Sequence, residues 1–117
     1  MKKIEAIIRV ERFDRVKRAL RHHDLDFFTY QEVKGVGNQD SVTESYRGTS
    51  YKVDAFDRIQ LSIIVGDAKA DKIIDIILKE CSTGQVGDGK ILVSDVNTMI
   101  RIRDGKVNEK AVEMSLV

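Results

Sequence analysis

Between Arg58 and Val96 the apolar period of the chain changes from two to 3.6 and back again. Ile59, Leu61, Ile63 and Val65 alternate with other residues, which predicts a strand with one buried face. Gly66-Asp67 turns the chain. Ala70, Ile73, Ile74, Ile77, Leu78 and Cys81 then recur at helical spacing, the clearest apolar stripe in the sequence. Lys90 to Val96 returns to a strand pattern. A strand, a helix and a strand joined this tightly require a crossover over one face of a sheet.

The residues before Arg58 carry the same kinds of element. Ile4, Ala6, Ile8 and Val10 share one face of a strand over Lys2 to Val10, with Glu5, Ile7 and Arg9 on the other. Phe13, Val16, Ala19, Leu20 and His23 mark a helix with Arg15, Lys17, Arg18 and Arg21 on its far side. Asp14 suits the positive end of that helix's dipole. His22 and His23 fall at the helix end and read as capping or solvated residues. Asp26 to Lys34, rich in Phe, Thr, Tyr and Val, predicts a second strand ended by Gly35-Val36-Gly37. The order βαββαβ is that of an α+β, ferredoxin-like domain. Right-handed crossovers put both helices on one sheet face. The other face, with Glu5, Ile7, Arg9, Gln60, Ser62 and Ile64, is left uncovered and predicts self-association into a closed oligomer.

Composition narrows the function classes. At 117 residues and 42% hydrophobic content, 1–117 reads as one globular domain. A net charge of +1 gives no general reason to expect nucleic acid or an anionic membrane. The single Cys81 excludes an internal disulfide and a cysteine-based zinc site, and its place on the apolar stripe predicts a buried thiol. No signal peptide or membrane-length apolar run is present, so the expected location is the cytoplasm. There is no proline, so turns rely on Gly, Asn and Asp. The last residues, 104–117, form a weakly patterned tail.

Two segments stand out as functional candidates. Thr83 to Lys90 holds Gly84, Gly87 and Gly89 between helix and strand. Its backbone N–H groups could form an anion nest with Lys90 at the edge. Gly84 and Gly89-Lys90 match part of a Walker A motif, but Ile91 stands where a Ser or Thr would bind Mg²⁺. The helix-to-strand order is also the reverse of a P-loop. The alternative is a glycine-rich turn with a helix C-cap. The second segment, 35–56, is far longer than a hairpin loop needs, polar and without periodicity. It contains Tyr46, Arg47 and Tyr51, residue types enriched at interface hot spots. A plainly solvated insertion is the alternative.

These segments resemble, in order and spacing, the PII nitrogen-regulatory signal proteins. The likeness is carried by Met1-Lys2-Lys3-Ile4-Glu5-Ala6-Ile7-Ile8-Arg9, Lys34-Gly35-Val36-Gly37, Thr43-Glu44-Ser45-Tyr46-Arg47-Gly48, the glycine loop with Lys90, and Ile100-Arg101-Ile102-Arg103. The resemblance implies a homotrimer with ATP or ADP in clefts between subunits. On that likeness Gly87, Asp88, Gly89 and Lys90 would cradle phosphates, with Arg101 and Arg103 reaching them. Gly35, Val36 and Gly37 would bring backbone close, and Ile7, Thr29 and Ile64 would line the base. Asn38 stands where the family has a phosphate-holding arginine. Gln39 would help hold Mg²⁺ and 2-oxoglutarate, and Arg58 would meet a 2-oxoglutarate carboxylate. The 35–56 loop would be the effector arm. Tyr46, Arg47 and Tyr51 would dock on a target such as an ammonium transporter or a nitrogen-metabolism enzyme. Tyr51 matches a tyrosine that some members uridylylate and others leave unmodified.

The chain also departs from the family. Asp40 and Gln85 replace lysines, Arg58 replaces lysine, Ser62 replaces glutamate, and Val10-Glu11 replaces Pro-Phe. The resemblance implies a regulator and not an enzyme, with no direct membrane insertion and membrane contact only through a transporter. The alternatives are a divergent adenine-nucleotide sensor that does not respond to 2-oxoglutarate, and a slow ATPase. RNA binding by the sheet lacks the aromatic strand signature and the basic charge it needs.

Overall fold

The computed structural model describes residues 1–25, 27–37, 43–46, 49–52 and 55–113. Strand β1 spans Lys2–Arg9 and is followed by a 3₁₀ turn, Val10–Arg12, and helix α1, Phe13–His22. Strand β2 is Thr29–Val36, and a short pair follows, β3 Thr43–Tyr46 and β4 Thr49–Lys52. The chain continues through β5 Ala55–Val65, α2 Asp67–Cys81, β6 Gly89–Asp95 and α3 Glu109–Glu113. Four strands form an antiparallel sheet in the order β2-β5-β1-β6, the ferredoxin-like order.

The core lies between the sheet and the two long helices. Ile4, Ala6 and Ile8 of β1 and Ile59, Leu61, Ile63 and Val65 of β5 pack with Val16 and Leu20 of α1. From α2 come Ala70, Ile73, Ile76, Ile77 and Cys81. Burying each large aliphatic side chain contributes about 1.5–3 kcal/mol. Alternation on β1 and β5 therefore fixes which sheet face receives the helices.

Several expectations shift on inspection. Strand β1 ends at Arg9, because the chain turns into the 3₁₀ segment and leaves Val10 exposed. Strand β2 begins at Thr29, with Phe27 and Phe28 outside it, and continues through Val36. The long segment is not structureless, since β3 and β4 pair antiparallel within it. On α2, Ile76 is buried and Leu78 is 52% exposed, a rotation of the expected stripe. Leu78 faces a cleft of about 480 Å³ between α2 and β6 that Ile74, Ile91 and Val93 also line. No glycine caps α2: the cap is Ser82 in extended geometry, and Gly84 follows later.

Ile100 to Arg103 does not form a strand. Ile100 makes an isolated bridge to Val107, and 102–104 form a turn. Arg101 N–H donates to the Lys106 carbonyl at 2.8 Å, and Gly105 N–H to the Arg101 carbonyl at 2.8 Å. The two arginines consequently part company. Arg101 is folded in, while Arg103 is exposed.

Candidate functional site

Sheet register determines what shares the uncovered face, because residues directly opposite across an antiparallel pair point the same way. Ile7 lies opposite Lys90 on one side and Gln60 on the other, and Gln60 opposite Gln31. The row Gln31-Gln60-Ile7-Lys90 thus crosses the whole face. The next row towards the glycine loop is Val33-Arg58-Arg9, and the next away from it is Thr29-Ser62-Glu5-Leu92. No residue of these three rows is fully buried. Both long helices pack on the opposite face, so this one carries no cover from α1 or α2.

The glycine loop, 83–88, is organised by Asp88. Its carboxylate accepts the Thr83 N–H at 2.7 Å, the Gly84 N–H at 2.9 Å and the Thr83 hydroxyl. Arg9 Nε donates to the same carboxylate at 3.1 Å, and Arg9 Nη2 to the Val86 carbonyl at 2.9 Å. Thr83's hydroxyl and N–H, together with Arg9 and the Gly84 N–H, hold the Asp88 carboxyl well below the usual carboxylate range. The nest at Thr83 and Gly84 is therefore already filled by the chain's own anion. The Asp88 N–H is engaged as well, donating to the Gln85 carbonyl at 3.4 Å. Asp88 shapes the loop from inside, and what it leaves outward is Lys90, exposed and without an ion pair among the described residues.

Gly89 joins this loop to the sheet. It pairs with Ile8 and has φ +105°, in the left-handed region. A Cβ built there would lie 1.7 Å from the Ile7 carbonyl oxygen. Gly35 differs. A Cβ there would meet nothing in the chain closer than 3.7 Å, so internal packing does not demand glycine at that position.

The predicted site residues separate into groups. Ile7, Arg58, Gly87 to Lys90 and the Gly35 end of β2 belong to one end of the sheet. Thr29 lies one row and Ile64 two rows from Ile7 in the direction away from the glycine loop, with Ile64 opposite Lys3 near the start of β1. Thr29 and Gly35 are about 20 Å apart along β2 at about 3.4 Å per residue. Arg101 and Arg103 follow the far end of β6, beyond the Val96 N–H that donates to the Met1 carbonyl at 3.1 Å. One copy of the chain does not gather all of these around a single small molecule. Asn38, Gln39 and Arg47 lie outside the described residues. Tyr46 and Tyr51 occupy positions of β3 and β4 opposite Thr49 and Glu44.

Arg101 carries the second charged device. Its Nε and Nη2 grip the Asp104 carboxylate at 3.0 and 2.7 Å. That fork, with the Lys106 N–H, holds the Asp104 carboxyl well below its ordinary range. Arg101 Nη1 is buried and has no partner among the described residues. Leaving a charged donor unpaired is costly, and an added acceptor would relieve that cost.

Sequence reading missed Arg9, Thr83 and Asp104 as members of the site. Arg9 had a signal, since it follows Ile7 by two residues on the same strand face. Asp104 had a weaker one, its spacing of three from Arg101. Cys81 is as expected: it is 5% exposed, and burial pushes its thiol up to about 11. Among the described residues no cluster of three or more His, Cys, Asp or Glu is placed to hold a metal ion. No described helix is long and apolar enough to cross a membrane.

Comparison with known proteins bears on this geometry. Residues 1–106 match the family model "Nitrogen regulatory protein P-II". A protein of that name from Porphyra purpurea is 46% identical over 112 residues, 96% of this chain and 100% of the relative. "Nitrogen regulatory protein P-II 2" of Methanothermobacter thermautotrophicus is 43% identical over 112 residues, 96% of this chain and 97% of the relative. The Nostoc punctiforme protein is 44% identical over 112 residues, again 96% of this chain and 100% of the relative. The match takes in every strand of both sheets, the two long helices and the loop shaped by Asp88. On that likeness, the chain belongs to the nitrogen regulatory protein P-II family.

Proposed function

We propose that this chain is a signal-transduction regulator that binds ATP or ADP between neighbouring copies of itself and acts on a target protein through its 35–56 segment. The observation that carries the proposal is the spread of the site residues along one uncovered sheet face, with Thr29 and Gly35 about 20 Å apart on β2. A homotrimer brings the Lys90 end of one copy against the Thr29 and Ile64 end of the next. Lys90, the backbone at Gly87, Arg101 and Arg103 then meet phosphates. Ile7, Thr29 and Ile64 flank the base, and Gly35 to Gly37 give backbone access. The unpaired Nη1 of Arg101 and the packing-free position of Gly35 both fit a ligand that arrives from outside the chain.

Mg²⁺ would come with the nucleotide, with Gln39 as its protein contact. For 2-oxoglutarate the supporting feature is Arg58, a cation on the uncovered face opposite Val33 near the Gly35 end of β2, with Gln39 as its companion. Asp40, where the family has lysine, favours a second reading: a nucleotide sensor that does not respond to 2-oxoglutarate. No turnover is part of either reading. The chain would work in the cytoplasm and reach a membrane only by docking, through Tyr46, Arg47 and Tyr51, on a target such as an ammonium transporter. Tyr51 is the candidate for modification.

Titration calorimetry with ATP and ADP, with and without Mg²⁺ and 2-oxoglutarate, tests the proposal. Micromolar binding of an adenine nucleotide is expected. Absence of binding by either nucleotide overturns it. A 2-oxoglutarate effect on ATP affinity decides between the two readings.

A further inference from the structure

Helix α1 carries more positive charge than is balanced by its ion pairs among the described residues, which are Lys17 with Asp14 at 3.7 Å and Arg15 with Glu80 at 3.3 Å. Between Arg12 and His23 there are five Lys or Arg residues against one Asp, in a chain whose net charge is only +1. Arg15, Arg18 and His22 recur at i, i+3 and i+7 and are all exposed, so they stand along one side of the helix. Like charges at this spacing repel, and Arg15 sits in the first turn, where the helix dipole disfavours a cation. Helix α2 shows the contrasting arrangement, with Asp75 four residues before Lys79 in the favourable order.

The cations gather at a groove. Arg15, Arg18, Ala19, His22 and His23 line a depression of about 390 Å³ whose other wall is Glu80 of α2. Ala19 makes the floor shallow. Arg15 Nε pairs with Glu80 Oε2 at 3.3 Å, which leaves the Arg18 guanidinium beside the imidazoles of His22 and His23, each with an N–H able to donate to a carboxylate. The helices cover the sheet face opposite the Ile7-Lys90 row, so this groove is separate from the proposed nucleotide cleft and does not rest on it.

We propose that the α1–α2 groove is a docking surface for an acidic segment of a protein partner, one that presents two or three spaced carboxylates. Charge complementarity identifies the occupant. A nucleic-acid backbone is a poor match, because Glu80 sits in the path of a continuous polyanion and the groove has no aromatic side chain apart from the two histidines. A membrane surface is a poor match as well, because the groove lining offers nothing apolar to insert beyond Ala19.

The test uses the full chain and a fluorescein-labelled peptide with three glutamates separated by serines, followed by anisotropy in 50 mM and 300 mM salt. A 20-base-pair DNA duplex and phosphatidylserine vesicles are run in parallel. The peptide binds at low salt. The variant Arg18→Glu/His22→Glu weakens binding at least tenfold, while Glu80→Gln tightens it about threefold. A control reversal on α2, Lys69→Glu/Lys72→Glu, changes it less than twofold. Circular dichroism shows each variant folded, as expected for exposed positions. The proposal is overturned by absence of peptide binding at 1 mM, by equal losses in the α1 and α2 variants, or by tighter capture of the duplex or the vesicles.

Discussion

Arg9 and Asp88 tie the glycine loop to the first strand: Arg9 Nε lies 3.1 Å from Asp88 Oδ1, while the same carboxylate holds the Thr83 and Gly84 N–H groups. Loop shape and sheet face are thereby one unit. A change at either residue reaches Lys90, which follows the loop and lies opposite Ile7 on the face that bears Arg9. Asp88→Asn keeps the size of the side chain but removes its charge. It should lower adenine-nucleotide affinity at least tenfold by calorimetry and shift the Thr83 and Gly84 amide resonances. Unchanged resonances would mean the loop holds its shape without this carboxylate.

The same carboxylate gives the molecule a defined acid response. Asp88 and Asp104 both titrate lower in the folded chain than the ordinary Asp value of about 3.9. Such groups bind fewer protons folded than unfolded. Their contribution is complete above the ordinary value and drains as pH falls below it towards the folded pKa. Urea midpoints measured from pH 6 down to pH 2.5 should fall mostly below about pH 4 for the parent chain. The decline should be shallower in Asp88→Asn. Equal slopes would show that Asp88 titrates normally in the fold.

Gly89→Ala should be among the more damaging single-methyl additions. The residue combines φ +105° with an Ile7 carbonyl oxygen 1.7 Å from where the new carbon would sit. Strain of this kind costs about 2 kcal/mol or more, read as a shift of the urea midpoint at constant slope. Gly35→Ala, with 3.7 Å of clearance, should leave stability nearly unchanged and show its effect in nucleotide binding instead.

The legible part of the fold was the part where burial is one-sided. Strands β1 and β5 alternate because one face meets the helices and the other does not, and α2 carries its stripe for the same reason. Strand β2 was harder to bound, since Phe27 and Phe28 have strand-like composition but precede the ladder. Strands β3 and β4 pair only with each other, so no core imposes a period on Thr43 to Tyr46 or Thr49 to Lys52. Ile100 to Arg103 alternates in sequence yet forms no strand, because Asp104 captures Arg101 and also accepts the Lys106 N–H, closing a turn. Within the candidate site, the turn between α2 and β6 was readable from its glycines, of which Gly84, Gly87 and Gly89 all take positive φ. That its carboxylate faces inward was not, because an Asp between two glycines has the same letters in either orientation.

Cys81 offers a test of the core that is independent of any ligand. A thiol pushed up to about 11 by burial is only about 0.1% thiolate at pH 8. Ellman's reagent should react at least a hundredfold more slowly with the native chain than with the chain in 8 M urea. Rapid native reaction would show that the α2–β6 cleft, which Cys81 also lines, opens the thiol to reagent and that the residue is not sealed in the core.

Lys90 separates binding from stability. Its side chain is exposed and makes no ion pair among the described residues, so Lys90→Ala should leave the unfolding free energy from urea melts within about 0.5 kcal/mol of the parent. Nucleotide affinity should fall at least tenfold. Unaltered affinity would remove the end of the glycine loop from the proposed site.

Native mass spectrometry of the chain with excess ATP tests the central claim most directly, because it reads assembly and occupancy together. The account predicts a trimer that carries up to three nucleotides, with a lower-mass, nucleotide-free species for any monomer present. A monomer that retains ATP, or a trimer that retains none, would contradict it.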